Sequence, residues 1–273
     1  MILLYITVLL FIVASAYSIL SIHKDMPRYI TATKILMGMI LLVLLVIGYL
    51  TPVYIAGVYK IQLFSFFYLI ILFLTILTLY MGISQWNSDY RSLSAILIPL
   101  TTMVAITSLF FSNSPRSMVI GPNNSIMIIH IVLALLGEVL FFVAFASSVL
   151  YIIVSWQLQK KSSMKFINRF PSLTVLSKLT EFSLSRSLIF FTAGIIIGII
   201  MLFEVYGNIS FGSPKEILMY TAWAIIFILW LISRSHITSH YYLSIMTIVS
   251  FLILMIVFTA SNVVITSGFH SFR

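Results

Sequence analysis

Hydrophobic positions in this chain come in long, nearly uninterrupted runs, and polar positions gather in the short stretches between them. The runs fall at about 2–20, 35–52, 62–83, 93–111, 125–154, 187–205, 217–233 and 242–265. A helix of about 20 apolar residues crosses a hydrocarbon core about 30 Å thick. The pattern therefore predicts an all-α polytopic membrane protein with eight transmembrane helices, in one integral membrane domain over residues 1–273. The first 20 residues are apolar but lack a basic start and a small-residue cleavage site, so they read as a retained span. The fifth run is the longest, and as a helix it extends roughly 45 Å, so it tilts or projects. The stretch before it, 112–125, contains Pro115 and Pro122 and reads as a turn-rich loop. In loop 155–186, Phe170, Leu173, Leu176 and Leu179 recur at three-residue steps, which suits a short interfacial helix.

Charge gives the spans a direction. Loops 21–34, 84–92, 155–186 and 234–241 hold eleven basic residues, and the opposite side holds only Lys60, Arg116, Lys215 and Arg273. The basic-rich loops belong in the cytoplasm, which puts both termini outside. His130, the 206–216 loop and His270 then share the outer face, and His23, His236 and His240 the inner one. The chain is 62% hydrophobic and 8% charged, with a net charge of +9. In such a protein the positive balance reflects orientation and contact with anionic lipid, not nucleic acid. There is no cysteine. That excludes disulfides, thiolate metal sites and covalent thioether attachment of a cofactor to this chain.

Ionisable groups within spans are costly and usually functional. His130 lies in "IIHIVLALLGEVLFF", about one and a half turns into the fifth span. Glu138 is eight residues deeper, roughly 12 Å along the axis and on an adjoining face. Its charged form is expensive at that depth, so it is expected protonated, bonded to a Ser, Thr or Tyr of a neighbouring helix, or facing a polar cavity. His270 lies in "VITSGFHSF" near the C-terminus. Two imidazoles at one membrane face suit a pair of axial ligands for haem, in which neutral rings bind iron from opposite sides. Without cysteine, that haem is a non-covalent b-type group, and its iron is the one metal expected. Tyr206 and Trp223 are candidate pocket walls, and Lys215, Arg116 and Arg273 candidate cations for the propionates. Other readings stay open beside this one. Glu138 also fits the proton site of a small-molecule transporter. Gly194 and Gly198 form a small-xxx-small pair that suits close helix packing. His236 and His240 have no acidic neighbour in sequence and read as solvated loop residues rather than a metal site. The chain contains no Gly-rich phosphate loop, nucleophile elbow, HExxH or paired carboxylates, so no enzymatic activity is expected.

Over about 125–273 the chain resembles the CcsA/ResC-type cytochrome c assembly proteins, and more closely their HemX-like relatives. Those families have a histidine in a long span, matched by His130 in "IHIVLALLGEVLFFVAFASSVLYI". A tryptophan-rich loop ending in P-K-E follows, matched at its end by Pro214, Lys215 and Glu216, with Trp223 in the next span. The terminal segment is matched by Gly268, His270 and Ser271. The loop departs from the assembly enzymes: Tyr206, Ser210 and Gly212 stand where their tryptophans fall, and Ser213 where the aspartate falls. The first four spans match by hydropathy alone. The resemblance implies a protein of the bacterial cytoplasmic membrane that binds haem through His130 and His270. It further implies a non-catalytic regulator of haem biosynthesis, with glutamyl-tRNA reductase as partner. Haem transport or cytochrome c assembly is the alternative. If the partner is cytoplasmic, loop 155–186 with its leucine stripe is the expected contact surface.

Overall fold

The computed structural model describes residues 2–24, 27–50, 54–55, 58–83, 87–111, 117–120, 125–160, 169–206, 214–235 and 238–264. Eight helices occupy them: α1 (Ile2–Lys24), α2 (Pro27–Leu50), α3 (Leu63–Ile83), α4 (Asn87–Phe111), α5 (Ser125–Gln159), α6 (Leu173–Tyr206), α7 (Pro214–Ser235) and α8 (His240–Val264). The shortest has 21 residues, about the length that crosses a bilayer. Six are long and apolar enough to count as spans over their fully described residues, and Phe67–Ile83 and His240–Ile256 are shorter apolar stretches of α3 and α8. The chain is a multi-pass membrane protein. The connections before α3 and α5 add three short strands that the hydropathy pattern does not reveal: β1 (Tyr54–Ile55), β2 (Val58–Gln62) and β3 (Ser117–Ile120), paired in the order β1-β2-β3.

The helices group into two compact units. One holds α1–α4 with residues 156–172, and the other holds α5 up to Ser155 with α6–α8. In the first, α1 packs on α2 and α4, and α3 packs on α2 and α4, which closes a four-helix ring. Val8, Phe11, Ala14, Met37, Ile40, Leu44, Ile71, Ile98 and Ala105 fill its centre. The Ser15 and Thr102 hydroxyls meet at 2.8 Å between α1 and α4. Tyr68 donates to the Leu44 carbonyl at 2.8 Å, and Gly48 leaves room for that hydroxyl: a Cβ there would lie 2.6 Å from it. Two basic residues that look in sequence like topology markers also finish helices. Lys34 Nζ donates to Gly82 O at 2.7 Å near the end of α3, and an Arg169 guanidinium N–H donates to Ile22 O at 2.6 Å near the end of α1. A cation at a helix C-terminus satisfies carbonyls that the helix itself cannot.

In the second unit α6 packs on α7 and α7 on α8. Phe251 of α8 sits against Phe141, Phe142 and Phe145 of α5, with ring centroids 5.5, 4.8 and 4.3 Å apart. Three polar contacts tie α5 to α6: His130 to Gly194, Gly137 to Ser187, and Ser147 to Thr180. The first number rises as the second falls, so the two helices are antiparallel.

Helix boundaries differ from the hydropathy pattern at two places. α2 begins at Pro27, eight residues before the apolar run, because proline is favoured in a first helical turn, where its missing N–H costs nothing. α6 absorbs the expected interfacial helix and runs without a break from Leu173 to Tyr206, 34 residues. Lys178 and Arg186 interrupt the hydropathy but lie on its exposed side, with Glu181 half-buried, so they do not interrupt the helix. This overturns the reading of Leu173, Leu176 and Leu179 as a docking stripe on a loop. Leu176 is fully buried and Leu179 nearly so. Serine at Leu176 should lower the stability of the detergent-purified protein by on the order of 2 kcal/mol, from lost packing. Serine at the partly exposed Leu173 should leave it near wild type. Thermal unfolding of both variants checks this, and equal behaviour would contradict the packing.

Candidate functional site

The contacts around His130 are built by α5 and α6. His130 is 5% exposed, and its Nδ1 lies 2.7 Å from the carbonyl oxygen of Gly194. A carbonyl only accepts, so Nδ1 carries the proton and donates, and in the neutral ring the lone pair resides on Nε2. Metal-ligating histidines have this arrangement: one nitrogen donates to a backbone carbonyl, which fixes the tautomer, and the other binds the metal. The same bond satisfies a polar group that has no water to turn to inside a bilayer.

The sequence supports this geometry locally. α6 approaches α5 closely at Gly194. A Cβ on Gly194 would lie 3.5 Å from Ala134 N, in ordinary contact with the α5 backbone. Gly137 plays the reciprocal part on α5, where a Cβ would come within 2.9 Å of the Phe191 ring, and its carbonyl accepts from Ser187 at 2.8 Å. Further along, the Ser147 and Thr180 hydroxyls are 2.8 Å apart. Thr180, Ser187 and Gly194 are spaced by seven, two turns of helix, and so recur on one side of α6. Small residues at that spacing are visible in the sequence, but their bonding is not.

Trp223, on α7, donates from Nε1 to the Thr192 hydroxyl of α6 at 2.9 Å. Its ring stacks on Phe227 at 5.2 Å, and Phe227 stacks on Trp230 at 5.9 Å. Thr192 is two residues from Gly194, about 3 Å along α6 and some 200° around it, so this expected wall residue is anchored on a different side of the helix from the one that meets His130. Pro214, Lys215 and Glu216 form the first turn of α7, with proline at its first position. Tyr206 is the last residue of α6. The side chains of Tyr206 and Lys215 lie outside the described residues, as do Arg116, His270 and Arg273 altogether.

Glu138 lies partly exposed on α5, one turn from Phe141 and Phe142. Among the described residues it has no hydrogen-bonding Ser, Thr or Tyr, so the bonded form of the expectation is not met there. His240 is the first residue of α8 rather than a loop residue, and its Nδ1 lies 3.4 Å from Glu181 Oε1. An acidic partner absent from the local sequence is supplied by α6. His236 and the His23 side chain lie outside the described residues. Among the described residues no three His, Cys, Asp or Glu side chains gather as for a metal ion.

The chain matches the family described as Cytochrome C assembly protein over residues 60–270, more than half its length, and it belongs to that family. The match takes in α3 and α4 as well as both His130 and His270, so it extends further toward the N-terminus than the motifs alone do. No curated protein and no solved structure gives a match.

Because Glu138 has no described partner that requires its charge, Glu138→Gln should insert and fold like the wild type, whereas Glu138→Lys should not. The yield of monodisperse protein after detergent extraction reads this out. Loss of folding with Gln equal to that with Lys would instead point to a required carboxylate and favour a proton or cation role.

Proposed function

We propose that this protein is a haem-binding membrane protein with His130 and His270 as the axial ligands of one b-type haem. The observation that carries the reading is the His130–Gly194 hydrogen bond, which sets the ring in the tautomer that ligates through Nε2. The described helices are consistent with the second ligand. Phe251 packs beside Phe142 and His240 beside Tyr151, so α8 is antiparallel to α5; from the Phe142–Phe251 contact α5 runs back twelve residues to His130 and α8 runs on thirteen, the same way in space, to Val264. Both distances are roughly 18–20 Å of helix, so α8 ends near the level of His130. His270 follows six residues later, and six residues extend at most about 20 Å. Haem would supply iron to the two imidazoles. Tyr206 would line one face, and Arg116, Lys215 and Arg273 would hold its propionates. The distribution of basic residues supports an outer-face position for this site, with both termini outside, in a bacterial cytoplasmic membrane.

The finer reading is a HemX-like regulator that is not an enzyme. Haem binding would alter the helix bundle, and its cytoplasmic side would restrain glutamyl-tRNA reductase. The replaced tryptophan-rich loop supports this over ligation of haem to an apocytochrome. Burial of Leu176 and Leu179 moves any partner contact to other cytoplasmic residues, such as the exposed Lys178 and Arg186. The family match favours the second reading, a haem transporter or cytochrome c assembly subunit. Deletion separates the two: raised glutamyl-tRNA reductase with normal c-type cytochromes supports regulation, and lost c-type cytochromes support assembly.

Purified wild-type protein should show a Soret band with low-spin features on reduction. His130→Ala and His270→Ala should each lose the low-spin signature. Unchanged spectra in both variants would refute the ligand assignment.

A further inference from the structure

The Gly194–Gly198 pair on α6 looks at first like a simple helix-packing motif, in which both glycines let backbones approach. The distances separate their roles. At Gly194 an added Cβ meets the α5 backbone at 3.5 and 3.8 Å, which is ordinary contact. At Gly198 it meets the His130 ring, 2.9 Å from Cε1, 3.1 Å from Nδ1 and 3.7 Å from Nε2. The Nδ1–Cε1 edge of the imidazole therefore sits in the notch left by Gly198, and Nε2 lies further from it. One turn away, the carbonyl of Gly194 takes the Nδ1 proton at 2.7 Å. A carbonyl and a notch on successive turns hold the ring by two different means, direction and shape.

We propose that Gly198, with the Gly194 carbonyl, forms a cradle that fixes the tilt of the His130 ring, which makes Gly198 a positioning residue for haem ligation. The ligation part rests on the haem reading above. A methyl group at 198 forces the ring away by several tenths of an ångström, because no side chain keeps a carbon contact of 2.9 Å. The ring has two torsions with which to move, but moving lengthens or misdirects the bond to Gly194. A weaker Nδ1–H bond makes Nε2 a poorer donor to iron, which favours the ferrous state. Ser187→Ala, which removes the bond to Gly137 O between the same two helices, leaves both ring contacts in place.

Two measurements test this. The first needs no haem: the thermal midpoints of haem-free Gly198→Ala, His130→Ala and the double variant, with wild type, form a cycle. If the cradle is right, the loss caused by Gly198→Ala disappears once the His130 ring is gone. An equal loss in both backgrounds means that Gly198 serves helix packing alone and overturns the proposal. This arm holds even if Gly198→Ala on its own is too unstable to purify, because recovery of folded double variant is then the expected result and its failure the contrary one. The second is haem titration and redox spectroscopy. Gly198→Ala should bind haem about 10–100-fold more weakly and with a higher midpoint potential, the usual scale for a lost outer-shell partner. Ser187→Ala should stay within about threefold, the scale of one interhelical contact. Wild type without a Soret band overturns the haem reading and leaves the cycle to judge the cradle. Wild type with one, and Gly198→Ala indistinguishable from it in affinity and potential, overturns the positioning role alone.

Discussion

Polar groups inside a bilayer have no water to bond, and that constraint shapes both helix units. Most described hydroxyls meet it locally. Thr75 donates to Ile71 O at 2.7 Å, Thr101 to Leu97 O at 2.7 Å and Ser108 to Ala105 O at 2.7 Å, each within its own helix. Such bonds hide a hydroxyl without specifying a neighbour. A few groups find partners across helices, and those contacts fix which helices meet and in what register. His130 is the most consequential, because an imidazole cannot hide against its own helix as a serine can. It takes a carbonyl from α6, and the chemistry left at its other nitrogen follows from that choice.

Much of this was legible in the sequence. Eight apolar runs correspond to eight helices because a hydrocarbon core imposes one length on every crossing. His130 stood out because a titratable ring in a span is expensive. The rest was hidden for identifiable reasons. Lys178, Glu181 and Arg186 made the start of α6 look like a loop, since hydropathy averages over all faces of a helix and these residues occupy one side. Leu176 and Leu179 then looked like a free stripe when they are core. Glu181 and His240 are 59 residues apart, and nothing local links them. The strands around 54–62 and 117–120 carry no alternation strong enough to stand out beside the spans. Gly194 and Gly198 were recognisable as a pair, but only packing distinguishes the one that faces backbone from the one that faces a ring.

Membership of the cytochrome c assembly family narrows the chemistry without choosing among its uses. The loop between α6 and α7 carries Ser210, Gly212 and Ser213 where the resemblance expects tryptophans and an aspartate, so it has fewer aromatic side chains and one acid fewer to offer. α5, α6 and α8 supply the His130 position, the close helix approach and the aromatic packing on Phe251.

The sevenfold spacing of Thr180, Ser187 and Gly194 has a mechanical consequence. Sliding α6 along α5 by one residue would break all three cross-helix bonds together, and with average values of about 0.6 kcal/mol each the register resists slip by roughly 2 kcal/mol. The α5–α6 seam is thus stiff to shear, and α6 links the carbonyl that holds the imidazole to Glu181, thirteen residues and about 20 Å away, as one rigid strut.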